Sequence, residues 1–315
     1  MTPRYASGIA VAAAALLVSA LLAPARGGAV EIRFEPVAEG VYVHVGETGP
    51  RTYDNEGLNA NIGLVVTPAG AVLIDSGATW RSARQIDEAV RRVTDRPVKW
   101  VINTGGQDHR WLGNGYFIER GAQIVAHANA RADMRGRAGD HLQALAAVLG
   151  ERLQGTVPAL PTRWIEDNDA RLELGGVVLE LKHRGGAHTP GDMMVWLPDR
   201  GVLFSGDVVY VDRMLGVLPV SNTRRWLENF ALIEALNPNV IVPGHGRVTD
   251  LATARADTQA YLEALRAHMK KAVDDGTEIS AAIRAFDARP FMRLRNAAEL
   301  HPGNASRVYL ELERE

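Results

Sequence analysis

His188-Thr189-Pro190-Gly191-Asp192, Ser205-Gly206-Asp207 and Pro243-Gly244-His245-Gly246 are the passages on which the reading of this chain turns. In each, Gly or Pro stands beside an imidazole or a carboxylate, the pattern by which a strand hands a polar side chain to a loop at a sheet edge. Val202-Leu203-Phe204 leads into the Gly-Asp pair and Val240-Ile241-Val242 into Pro243, so two of the passages close buried strands. A histidine beside Gly or Pro is commonly a turn residue with its ring in water. Three such edges in one chain can instead converge on a single cation.

Taken together and in this order, the passages resemble the later metal-site motifs of the metallo-β-lactamase superfamily: His-Thr-Pro-Gly, Gly-Asp and Pro-Gly-His-Gly. The resemblance runs from about Val43 to Gly246 and more loosely to the C-terminus. It implies an α/β fold, a four-layer αβ/βα sandwich. A domain at 30–250 would carry the site, and a helical extension at 251–315 would pack on the same domain. The ending around His301-Pro302-Gly303-Asn304 resembles exported members of the superfamily that sit near sulfur-oxidation and quinoprotein systems.

One loop departs from the pattern. Where the family has Asn-Thr-His-x-His-x-Asp-His, this chain has Asn103-Thr104-Gly105-Gly106-Gln107-Asp108-His109-Arg110. In an ungapped register Gly105 and Gln107 replace the first two histidines, His109 falls on the Asp, and Arg110 puts a cation where a ligand belongs. In a gapped register the Asp108-His109 dipeptide is kept and only the first metal position is emptied. The gapped register is preferred, because an Asp-His pair beside intact ligand motifs is a poor fit to filler. It implies metal ligands Asp108, His109, Asp207 and His245, with His188 close by. Asp108 would also be the catalytic, nucleophile-orienting residue. Gln107 and Arg110 would face the emptied half, as anion-binding substrate contacts or as salt-bridged filler.

Such a donor set suits one zinc ion, with iron or manganese as alternatives. Zinc lowers the pKa of bound water from about 16 to about 7, so one ion suffices for hydrolysis. The chain has no cysteine, which excludes disulfides and thiolate ligands. Its formal charge of −2 offers no basic face to nucleic acid, so a small molecule is the expected partner.

Residues 1–25 read as a secretory signal: Arg4, an apolar run from Ile9 to Leu22, and Ala23-Pro24-Ala25 for cleavage before Arg26, with cleavage after Ala29 as second choice. An uncleaved anchor is the rival. The expected location is the periplasm or outside the cell, with no stable membrane insertion after cleavage.

Between the signal and the motifs, period-2 alternation predicts strands over 30–34 and 40–45. A hairpin is predicted from 62–66 and 71–75 around Pro68-Ala69-Gly70, and a helix over 80–93. Further strands are expected at 98–102 and 122–126, and helices at 138–153, 226–236 and from Asp250 to about Asp274. The segment 307–312 is a last strand or helix. Asp75 is either an acidic support for the metal loop or a helix cap. His44 reads as packed or surface, His127 as a support for the site, and His268 as exposed. Asp140 and His141 only superficially resemble a ligand pair, since helix neighbours point about 100° apart.

These readings make an exported metal-dependent hydrolase acting on an ester, lactone, thioester or amide the leading function. A binding or accessory protein that kept the fold is the alternative, and β-lactam turnover or a pure scaffold rank lower.

Overall fold

The computed structural model describes residues 30–315 and Met1, so the signal read over 1–25 lies outside the described residues. Seven strands form the first sheet in chain order: β1 (Glu35–Ala38), β2 (Val41–His44), β3 (Ile62–Thr67), β4 (Gly70–Ile74), β5 (Val98–Ile102), β6 (Gln123–His127) and β7 (Arg163–Ile165). It begins as an antiparallel meander and turns parallel from β4 onward. The second sheet has the spatial order β12-β11-β10-β9-β8, built from β8 (Asp169–Leu174), β9 (Val177–His183), β10 (Met193–Leu197), β11 (Val202–Tyr210) and β12 (Val240–His245). It is antiparallel except for the β11–β12 pair.

Strand alternation sorts each sheet's side chains into two layers. On β4, Val72 and Ile74 face the other sheet while Ala71 and Leu73 face helices. On β11, Val202 and Phe204 point to the inter-sheet core and Leu203 to the outer side. The first sheet is covered by α1 (Trp80–Val93) and α3 (Asn114–Ile118), which follows the short α2 (Asp108–Trp111). Thr79 and Ser82 form a reciprocal capping box that fixes where α1 starts. Helix α4 (Ala130–Leu149) flanks the loop end of this sheet. The second sheet is covered by α5 (Thr223–Leu236) and, beyond α6 (Leu251–Ala254), by α7 (Ala260–Asp274), α8 (Ile279–Ala285) and α9 (Ala297–Leu312). This is the four-layer arrangement, with the residues after 250 sharing one core with β11.

The sheets meet closely. Gly63 faces the ring of Phe204, and a Cβ there would fall inside the ring's contact distance. Asn61 stitches the two together by donating to the carbonyls of Pro243 (2.9 Å) and Gly246 (2.8 Å).

Several expected elements shift. Residues 30–34 are not a strand: the first sheet begins at Glu35, paired with Val43, while Ile32 and Phe34 pack into the α1 core and Arg92 binds the Ile32 carbonyl. The helix expected from 138 begins at Ala130. The helix from Asp250, capped by that residue's side chain, contains a π turn over Arg255–Gln259. The segment 307–312 is helical. His268 is half-buried and bonded to the Ala282 carbonyl, so the exposed reading is corrected. Among the described residues no helix is long and apolar enough to cross a membrane.

Candidate metal centre

The site is built where strands end. Asp75 follows β4 with φ 68°, a left-handed conformation that turns its carboxylate back over the loop after β5. There it accepts from the Thr104 amide (2.7 Å) and hydroxyl (2.8 Å), which decides for support of the loop over a helix cap; Thr79 caps α1.

Arg110 lies beside Asp75. Its guanidinium is fully buried and donates to Asp75 (2.9 Å), to both oxygens of Asp207 (2.6 and 3.2 Å), and to the carbonyls of Gly244 and Asn61. Burial would lower its pKa, but Asp207 and Asp75 raise it above the ordinary guanidinium value. The same pairing, against burial, holds Asp207 well below the usual carboxylate range. Arg110 therefore faces no open half of the site. Of the two readings of Arg110, the substrate contact is corrected and the salt-bridged one fits, because all its reach is spent on buried acceptors.

His109, Asp207 and His245 come together. One ligand atom from each lies within 4.8 Å of the others, and all three residues are buried. His109 Nε2 is 3.2 Å from Asp207 Oδ2, and His245 Nε2 is 3.3 Å from Oδ1. The tautomer of His245 follows from its other nitrogen: Nδ1 donates to the Asn59 carbonyl at 2.6 Å. Burial, reinforced by the charge of Arg213, pushes its pKa well below the ordinary value, so the ring is neutral. Its Nε2 then directs a lone pair at a carboxylate oxygen, two acceptors facing each other. A divalent cation resolves that opposition, and the residues fit one.

His188 shows the same preparation, with Nδ1 donating to the Gly216 carbonyl (2.8 Å) and burial pushing its pKa down to about 4. It packs against Tyr210 and Trp226 and is not one of the three clustered residues. Asp108 also lies outside that group. Its carboxylate pairs with Arg51, accepts from the His109 amide (2.8 Å), and stands 3.2 Å from His109 Nδ1. Burial would raise its pKa, but Arg51 and then His109 hold it below the carboxylate range. It is placed to orient the His109 ring from behind.

The first half of the loop is filled. A Cβ on Gly105 would lie 2.5 Å from Asp192 Oδ1. Asp192 itself bonds the Thr189 amide and hydroxyl, and burial pushes its pKa up to about 7. Gln107 accepts from Arg137 (3.0 Å), which also pairs with Asp133 and lies 3.1 Å from His141 Nε2. Gln107 is thus held by the protein's own cation. Below the site His127 and His183 stack at 3.5 Å, and His183 Nδ1 donates to the Asp192 carbonyl (2.8 Å), a supporting position for both. His44 is buried and bonded to the Arg33 carbonyl, away from the centre.

Sequence reasoning missed Arg51, Arg137 and Arg213. They come from a loop, a helix and another loop with no common motif.

With this geometry established, comparisons place the chain. The family model of the metallo-beta-lactamase superfamily matches residues 55–245, and the chain belongs to that superfamily. It is 28% identical over 255 residues to a metallo-beta-lactamase type 2 of Bacillus sp. (strain 170), covering 79% of this chain and 89% of that one. It is 30% identical over 220 residues to the acyl-coenzyme A thioesterase MBLAC2 of Homo sapiens, covering 62% and 75%. Among solved structures, the DIM-1 metallo-beta-lactamase superposes with TM-score 0.59 at 19% identity, over 75% of this chain and 99% of that one. A double mutant of the sec-alkyl sulfatase PisA1 gives 0.69 at 18% identity, over 88% of this chain and 50% of the other. These structural likenesses concern the fold.

Proposed function

We propose that this protein is a metal-dependent hydrolase working with one divalent cation, zinc by its donor set, held by His109, Asp207 and His245. The observation that carries the reading is the neutral His245 ring whose Nε2 faces Asp207 Oδ1 at 3.3 Å, beside the equivalent approach of His109. A cation bound there would supply Lewis acidity and acidify water to a pKa of about 7. The protein's own residues do the rest. Arg110 keeps Asp207 ionised and immobile, Asp108 aims the His109 ring, and the Asn59 carbonyl fixes the His245 tautomer. His188 adds a neutral imidazole that can accept a proton or hydrogen-bond a substrate. The substrate bond is an ester, lactone, thioester or amide, and the names of the relatives put thioesters and β-lactams first in any screen. Export to the periplasm or beyond belongs to this proposal and rests on the N-terminal sequence alone.

Metal analysis of purified protein tests the reading: about one equivalent of zinc, lost in His245→Ala, together with turnover in a panel of thioester, lactone, β-lactam and sulfate-ester probes. Metal-free protein that folds normally and hydrolyses none of them refutes it. A binding or accessory role is favoured by one observation, the occupation of the Gly105–Gln107 half by Asp192, Asp133 and Arg137. Metal retention without turnover would select it.

A further inference from the structure

Outside the candidate metal centre, the start of α4, the loop after β9 and the start of α5 border a depression of about 480 Å³. Three arginines line it, Arg131 and Arg135 from α4 and Arg225 from α5, and no carboxylate does. Among the described residues none of the three has an acidic partner. The acids close to them in the chain are taken elsewhere, Asp133 by Arg137 and Glu228 by Arg224. Two of the guanidiniums are held in place without being neutralised. Arg225 Nη1 donates to the Gly185 carbonyl at 3.0 Å, and a Cβ at 185 would stand 2.9 Å from that nitrogen, so glycine is what lets the arginine lie there. Arg131 lies over the Trp164 ring, 4.8 Å from its centroid, and its enclosed Nε has no hydrogen-bond partner. Charges of one sign gathered around a concavity repel one another and raise the local potential. Planar forks of N–H donors in that setting match the oxygens of a phosphate group, and the volume is that of a small-molecule site. None of His109, Asp207 and His245 lines the depression, which touches the His188-Thr189-Pro190 passage at Pro190 alone.

We propose that this depression is a second ligand site, separate from the candidate metal centre, and that Arg131, Arg135 and Arg225 take the phosphate or diphosphate group of a small soluble molecule there. The site goes beyond the hydrolase reading and depends on neither a cation nor turnover.

Thermal melts with sodium pyrophosphate, at ionic strength held constant with chloride, test the site on the protein as purified and again after EDTA treatment. Saturable stabilisation is expected, the same in both preparations. The apparent affinity should fall about tenfold or more in Arg131→Met and in Arg225→Met, each of which removes a charge-assisted contact. Two further variants separate a site from bulk charge. Arg135→Met, at an exposed and unpaired position, should weaken the response without lowering the melting temperature of the anion-free protein. Arg184→Met, whose arginine pairs with Asp169 and does not line the depression, should leave the response unchanged. No response in wild type, a response lost on EDTA treatment, full affinity in all three lining variants, or equal weakening by Arg184→Met overturns the site. Sedimentation with vesicles containing phosphatidic acid separates the two sources of a phosphate group. The protein should stay in the supernatant, and pelleting with the vesicles would overturn the soluble ligand.

Discussion

The loop after β5 carries two halves that have gone opposite ways. From Gly105 to Gln107 the polypeptide is packed shut: Asp192 occupies the space a side chain at 105 would need, and Arg137 takes up Gln107. From His109 onward, ligand atoms of three elements come within 4.8 Å of one another, close enough to share one ion. What separates the halves is where the positive charge goes. In the first, an arginine is spent on the loop itself. In the second, Arg110 neutralises one carboxylate from behind and leaves the face toward the imidazoles open. Ordinary close packing can thus shut one half of such a loop while a group that could hold an ion stands a few residues on.

The sharpest way to break this contrast is to compare Arg110→Ala with His109→Ala. The arginine change strands Asp75 and Asp207 in the interior and should cost about 3–5 kcal/mol in urea denaturation. The histidine change should cost less, about 1–3 kcal/mol, and abolish stabilisation by added zinc. Equal losses from the two would erase the distinction between a charge that holds the fold and a residue that holds the ion. Gly105→His tests the closed half: it should recruit no second ion, by metal stoichiometry, and should destabilise by about 1–3 kcal/mol through overpacking. A gain of a second equivalent would mean that the half is merely unfilled.

The smallest effect concerns the support beneath. His127 is pushed down to about 4 by burial and by neighbouring His183. In the unfolded chain it takes up a proton near its ordinary value of about 6.5. Its contribution to stability is therefore complete above that pH and drains away as the pH falls toward 4. His127→Phe should flatten the melting temperature's decline across that window by the equivalent of roughly 1–3 kcal/mol; an unchanged slope would assign the acid sensitivity elsewhere.

The strands were legible because a buried strand must be apolar: 98–102 and the hairpin at 62–75 appear where the pattern put them, and α1 spans 80–93 as expected. His245 and Asp207 were legible because Gly-Asp and Pro-Gly-His mark strand ends. The loop at 103–110 was not, because sequence shows residue types and conceals which way they turn. Asp108, chosen as a ligand, faces Arg51, and Arg110, chosen as a substrate contact, is sealed between two carboxylates. A buried arginine looks in sequence like a surface one, and its partners are distant in the chain.

The contact between Gly63 and Phe204 lies a layer below the site, yet it sets the gauge between the two sheets whose rims supply the ligands. Any larger residue at 63 would act as a shim, prising the rim that bears His109 from the one that bears Asp207 and His245. Any affinity of the His109, Asp207 and His245 group for an ion would in this sense be machined into the hydrophobic interior, where a glycine with no chemistry of its own governs how far apart the chemical groups stand.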